Sequence, residues 1–244
     1  MPDRFQQFWD GAALVSAQVV ISLLLFAAVI AVIVFLVRGR MRKYKPADLA
    51  VFDRIKPWTN ARTSRVMLFI TLLGKHQFLI PANLILIVYF LLVSPHSWLS
   101  IRVAAIALSS LALMFLLKHL FRRKRPLPPL LQAARGLSFP SGHAIMAVTF
   151  YGLLMYIVAH TVPVGWLRWL STVLLALLIV LIGFSRIYLR VHYASDVLAG
   201  FIIGLLWLFI SLAVMQRVEQ FLKERVQTTM PAAVITCSPV KAVN

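Results

Sequence analysis

The sequence predicts an all-α protein, a bundle of six transmembrane helices with its functional site at one membrane face. Three observations carry that expectation. Hydrophobic residues fill 61% of the 244 positions and charged residues only 13%, whereas a soluble domain is about half apolar. Mean hydropathy is +0.88. Apolar runs suited to spanning helices stand at about 12–37, 66–93, 101–117, 144–160, 166–184 and 197–215.

Each run is read as a helix because backbone groups in hydrocarbon must bond within their own segment. The first, 12–37, is too long for the apolar core of a signal peptide and reads as a retained span. The segment 38–65 follows, rich in Lys and Arg, and its AVFDRIKPW stretch reads as a short interfacial helix. The second span is interrupted near its start by Gly74, Lys75 and His76. Several of the later runs are short for a ~30 Å core, so flanking residues extend them. Gly200 and Gly204 form a GxxxG in the sixth run, the spacing of close helix packing. The tail QTTMPAAVITCSPVKAVN has no helical period and reads as disordered. The expected organisation is one membrane domain, 1–225, and a tail, 226–244. No long-period repeat is present. The single cysteine, Cys237, excludes an intrachain disulfide.

The formal charge is +18, from 25 Lys and Arg against 7 Asp and Glu. In a membrane chain this excess points to anionic lipid or an anionic substrate, not to nucleic acid. Six-span topology puts 38–65, the loop between the third and fourth spans, and the loop between the fifth and sixth on one side. That side gathers KHLFRRKRP (118–126), FPSGHA (139–144) and SRIYLRVHYASD (185–196).

These clusters carry the parts of an oxyanion pocket. Arg125 and Arg186 offer planar forks to phosphate oxygens, and Lys118 a point charge. Ser141 and Gly142 precede the fourth helix, where a hydroxyl, backbone N–H groups and the helix N-terminus favour an anion. Two histidines remain, His143 and His192. Phosphoryl transfer from an ester needs a nucleophile and an acid for the leaving oxygen, and imidazole does either near neutral pH. His192 and Asp196 are four residues apart and share a face if this piece is helical. The carboxylate then orients one ring nitrogen and leaves the other free to attack. His143 is left as the general acid. One carboxylate and scattered histidines are too few ligands for a metal site, so no metal and no cofactor is expected.

The residues resemble the type 2 phosphatidic-acid phosphatase superfamily. Its motifs are K-x6-RP, PSGH and SR-x5-H-x3-D. This chain has Lys118 with Arg125-Pro126, then Pro140-Ser141-Gly142-His143, then Ser185-Arg186 with His192 and Asp196. All three match in order and spacing, over roughly 65–215. The resemblance implies a metal-free phosphohistidine mechanism. His192 would be the nucleophile, Asp196 its orienter and His143 the acid. Lys118, Arg125, Ser141, Gly142 and Arg186 would hold the phosphate. Bacterial membrane members act on phosphatidic acid, phosphatidylglycerophosphate, undecaprenyl diphosphate or lipid A, with the active site facing away from the cytoplasm.

The resemblance therefore implies a multi-pass protein of the bacterial inner (cytoplasmic) membrane with an extracytoplasmic site. Charge bias points the other way: 17 Lys and Arg lie on the motif side against seven on the other. The basic 38–65 loop is assigned to hugging anionic headgroups or to recruiting an anionic lipid substrate. Two other functions fit the same residues: a lipid-to-lipid phosphotransferase, and a non-catalytic lipid-phosphate binding or transport protein. Binding alone requires no acid–nucleophile pair, which argues against the second.

Outside the motifs, Arg122, Arg123 and Lys124 read as snorkelling anchors. Lys75 and His76 lie early in the second span on the motif side; a charge within a span is a functional candidate by default, and headgroup contact stands there against snorkelling. Tyr188, Arg190 and Arg135 are candidates for shaping the substrate mouth, and His160 sits at the opposite end.

Overall fold

The computed structural model describes residues 46–126 and 136–229, together with Leu24, Ala27, Ala28, Ala31 and Val32, which are helical and exposed. Among the described residues there are helices and no strands. Residues 46–55 form α1, followed by a 3-10 turn at Lys56–Trp58. Then come α2 (Ala61–Leu72), α3 (His76–Leu92), α4 (Trp98–Phe121), α5 (Gly142–Thr161), α6 (Gly165–Tyr188) and α7 (Ala194–Thr229).

Four helices are long and apolar enough to cross a membrane: α4, α5, α6 and the Ala194–Lys223 part of α7. Helices α2 and α3 meet at a 40° bend and are long and apolar enough only as a pair, a fifth span if the two count as one. The described residues thus hold four or five spans, where the sequence led us to expect six. The expected first span, 12–37, lies outside them apart from the five positions named above. Helix α7 continues to Thr229, and 230–244 lies outside the described residues.

The break in the second span falls where the sequence interrupts it. Helix α2 starts at a capping box, in which the Asn60 side chain accepts from the Arg62 and Thr63 N–H groups. It ends at Leu72, the chain turns through Gly74, and α3 begins at His76. A Cβ on Gly74 would sit 2.6 Å from Ile182 Cγ2 and 3.2 Å from His143 Cδ2. The turn therefore presses directly on α5 and α6, and only glycine allows that approach. Tyr151 donates to the Leu73 carbonyl at 2.9 Å, which satisfies a backbone acceptor freed by the break.

Helix α5 is the axis of the bundle. Ala144, Ile145, Ala147 and Val148 are at most 2% exposed, and α5 packs against α4, α6 and α7. Small residues permit the closest contact, as the GxxxG spacing implies. A Cβ on Gly200 would fall 2.8 Å from Ala144 Cβ, and one on Gly204 would fall 3.2 Å from the Ile145 carbonyl oxygen. Helix α6 instead shows Trp166, Trp169, Leu174 and Val180 outward, as a lipid-facing helix does.

Two loops leave the bundle at the motif end. The chain exits α4 at Arg122 (φ 48°) and turns after α6 at Arg190 (φ 53°), both in the left-handed region. For a residue with a Cβ this costs roughly 1–2 kcal/mol. Against these loops lies α1, whose Asp48, Phe52 and Ile55 are buried at i, i+4 and i+7. Phe52 stacks near Tyr193, with ring centroids 6.0 Å apart. Ile55 packs with Tyr188, Leu189 and Val191. Helix α1 is therefore seated on the α6–α7 loop, a tighter role than the interfacial one expected of it.

Candidate active site

The three motifs meet at the end of the bundle where α4 and α6 finish and α5 and α7 begin. Lys118 lies in the last turn of α4 and Arg186 in the last turn of α6. Ser141 caps α5, and its hydroxyl oxygen accepts from the Ala144 N–H at a long 3.5 Å. Its own N–H donates to the Asp196 carbonyl at 3.0 Å. That bond hooks the PSGH turn to the first turn of α7. Gly142 admits Met114 and the Lys118 stem against its α-carbon, since a Cβ there would stand 2.4 Å from Met114 Sδ and 3.7 Å from Lys118 Cε.

The positive groups converge. Arg125, Arg186 and Asp196 are near enough for their charges to act on Lys118, and Arg186, His192, Lys118 and Lys75 act likewise on His143. Arg125 is oriented by backbone: Nε donates to the Gly136 carbonyl at 3.2 Å and NH1 to the Val191 carbonyl at 3.1 Å. Arg186 is 4% exposed and its NH1 donates to Thr71 Oγ1 at 2.5 Å. That threonine stands in α2, just before the break.

His192 is 1% exposed and lies in the loop two residues ahead of α7. The expected shared helical face is therefore not what pairs it with Asp196. The pairing runs across the N-terminal turn, with Nδ1 3.7 Å from Oδ2. That is too long for a hydrogen bond. Burial lowers the His192 imidazole from its usual 6.5 to about 4. The Asp196 carboxylate works against that fall, and Arg125 and Arg186 add to it. The ring is neutral at physiological pH, as a nucleophile must be.

Asp196 itself is wholly buried and both its oxygens are engaged. Oδ1 accepts from Arg123 NH1 at 2.5 Å. Oδ2 accepts from the Tyr193 N–H at 2.9 Å and from the Ser138 hydroxyl. Arg123 is thus no snorkelling anchor. Its side chain is 11% exposed, it reaches Asp48 Oδ2 at 2.9 Å and Ser195 Oγ at 2.8 Å, and it lies 4.1 Å over the Tyr193 ring.

Buried donors and acceptors are nearly always paired. Four described side-chain atoms are not: His143 Nε2, Arg186 Nε, His192 Nδ1 and Arg102 Nε. Three belong to the motif residues. An anion bridging His143 and Arg186 would supply two of the missing partners. No group of three or more His, Cys, Asp or Glu able to hold a metal stands among the described residues.

Sequence reasoning missed Thr71, Asp48, Ser138, Arg123 and Ser195. Asp48 alone carried a signal: an acid in register with Phe52 and Ile55 on the apolar face of α1. Of the mouth candidates, Tyr188 is 2% exposed and its hydroxyl bonds Thr63 Oγ1 at 2.5 Å, so it ties α6 to α2. Arg190 forms a turn, and Arg135 lies outside the described residues. At the opposite end Arg102 bonds Tyr156 at 2.6 Å and Glu219 at 2.5 Å, joining α4, α5 and α7. His160 belongs to that end, where its Nδ1 lies 2.8 Å from the Tyr156 carbonyl oxygen.

Comparison with known proteins points to one family. The profile of the PAP2 superfamily matches residues 98–220. Phosphatidylglycerophosphatase B of Bacillus subtilis is 30% identical over 168 residues, 68% of this chain and 80% of its own length. The putative undecaprenyl-diphosphatase YbjG of Escherichia coli is 31% identical over 135 residues, 53% of this chain and 64% of its own length. Among solved structures, a transmembrane PAP2-type phosphatidylglycerolphosphate phosphatase from Bacillus subtilis superposes with a TM-score of 0.67 at 25% identity, covering 88% of this chain and 98% of that one. LpxE of Aquifex aeolicus superposes with a TM-score of 0.55 at 26% identity, covering 68% and 94%.

Proposed function

The chain belongs to the PAP2 superfamily and is a multi-pass membrane lipid phosphatase, and we propose that it works through a phosphohistidine formed on His192. The observation that carries this reading is the pair of buried, unpartnered nitrogens His143 Nε2 and Arg186 Nε, set with His192 among Lys118, Arg125 and the PSGH turn.

Lys118, Arg125, Arg186, the Ser141 hydroxyl and the backbone at Gly142 hold the terminal phosphate of the lipid. The His192 nitrogen turned away from Asp196, Nε2, bonds phosphorus as the P–O ester bond breaks. The leaving oxygen takes its proton from His143. Water then bonds phosphorus as the P–N bond breaks, and returns a proton to His143. Inorganic phosphate departs and both histidines are restored. Asp196 stabilises the positive ring of the intermediate.

The substrate is a lipid phosphate monoester or diphosphate of the phosphatidic acid, phosphatidylglycerophosphate, undecaprenyl diphosphate or lipid A type. The catalytic domain is the 1–225 portion, with 12–37 as a sixth span. The protein resides in the inner membrane with the site on the extracytoplasmic face. A panel of these lipids, assayed for free phosphate with no second lipid present and His192→Ala as the blank, tests the activity. Phosphate release from none of them contradicts the reading. The single Cys237 tests the orientation. Helix α7 ends on the side opposite the site and Cys237 comes eight residues later in the sequence, so an impermeant maleimide added to intact cells should leave it unlabelled. Labelling there places the site in the cytoplasm.

A further inference from the structure

We propose that Arg123 and Asp48 are positioning residues for the nucleophile: Asp48 fixes Arg123, and Arg123 fixes the Asp196 carboxylate that faces His192. The 46–55 helix is then part of the catalytic apparatus. The inference rests on His192 as nucleophile and Asp196 as its orienter.

The geometry is a chain of short contacts. Arg123 NH1 donates to Asp196 Oδ1 at 2.5 Å and to Ser195 Oγ at 2.8 Å, and NH2 donates to Asp48 Oδ2 at 2.9 Å. Asp48 also accepts from the Ser195 N–H at 3.0 Å through Oδ1 and from the Ser195 hydroxyl at 2.7 Å through Oδ2. It therefore holds the first turn of α7, which carries Asp196, as well as the guanidinium beside it. Asp48 is 4% exposed, so salt screens these charges little.

A buried carboxylate whose charge acts on Lys118 and Arg125 has two cations to turn toward. Turning would take it from His192. Arg123 holds Oδ1, Ser138 and the Tyr193 N–H hold Oδ2, and the face of Oδ2 toward Nδ1 is kept at 3.7 Å. The side-chain hydrogen bonds of Arg123 go to Asp48, Ser195 and Asp196 and to none of the phosphate-holding side chains. It should act on turnover and not on substrate binding.

The test measures kcat and KM on a short-chain phosphatidic acid in detergent, with thermal unfolding recorded for each variant. Arg123→Met should lower kcat about tenfold or more with KM within about twofold, and Arg123→Lys should recover part of the loss. Asp48→Asn keeps a neutral acceptor for the Ser195 N–H. It should lower kcat by a smaller factor, and have no further effect on the Arg123→Met background. Wild-type kcat in Arg123→Met, or a raised KM at unchanged kcat, overturns the proposal. If Arg123→Met does not fold, Arg123→Lys decides by the same split. His192→Ala separates the two levels. Activity in that variant defeats the phosphohistidine reading itself, whereas an inactive His192→Ala beside a fully active Arg123→Met defeats only the positioning role.

Discussion

Gly200→Ala puts the packing of the site to a direct test. The new Cβ would lie 2.8 Å from Ala144 Cβ and 2.9 Å from the Ser141 carbonyl oxygen. Non-bonded carbons rest about 3.5–4.0 Å apart, so α5 and α7 must part by about 1 Å. Neither neighbour can swing aside, because one is backbone and the other is a methyl on an α-carbon. The Ser141 N–H is bonded to the Asp196 carbonyl, so parting the helices shifts the PSGH turn against the loop that bears His192. Overpacking costs roughly 1–3 kcal/mol of stability, and a misplacement of about 1 Å costs on the order of 100-fold in rate. The assay is kcat/KM on a short-chain phosphatidic acid, with the unfolding temperature in the same detergent. Gly165→Ala is the control, since a Cβ there meets nothing within 4 Å. We expect kcat/KM to fall about 100-fold in Gly200→Ala and to be unchanged in Gly165→Ala. Equal activity and stability in the two variants would refute the reasoning.

Four further outcomes follow from the same geometry. Thr71→Val leaves the buried Arg186 NH1 without its acceptor at 2.5 Å, a loss of about 1–3 kcal/mol, and should raise KM more than it lowers kcat. Because burial holds His192 neutral down to about pH 4, the acid limb of kcat/KM, corrected for ionisation of the substrate, should fall near 4; a limb near 6.5 contradicts it. The same ring binds its proton at 6.5 once unfolded, so its stabilising effect is whole above 6.5 and declines by about 3 kcal/mol as the pH drops to 4. Arg102→Leu removes a buried partner of Glu219 at the far end and should lower the unfolding temperature, by about 2–3 kcal/mol in stability since Lys223 still pairs Glu219. It should leave kcat/KM intact.

The parts of the fold legible in the sequence are those set by composition along the chain. Spans α4 to α7 follow from uninterrupted apolar runs, and the bend between α2 and α3 falls at the glycine and lysine that interrupt the second run. The motif residues were legible because their types and spacings are tied to phosphate chemistry. What was hidden depends on contacts between distant positions. Arg123 reads as one more cation at a helix end until Asp48, 75 residues earlier, is seen against it. Thr71 looks like any polar residue in a span until Arg186 is placed beside it. The His192–Asp196 spacing suggested a helical face, yet the chain reaches the pairing through a loop because the helix starts only at Ala194. The role of α1 was blurred by its basic surroundings, although its buried stripe of Asp48, Phe52 and Ile55 has helical period.

The central claim is that His192 forms a bond to phosphorus. It is tested most directly by quenching turnover of a phosphorus-labelled lipid phosphate at alkaline pH, where a phosphoramidate survives, and mapping the label by mass spectrometry. The account predicts an acid-labile phosphate on His192, absent from His192→Ala, which should also release no phosphate. Label on any other residue, or turnover by His192→Ala, would contradict it.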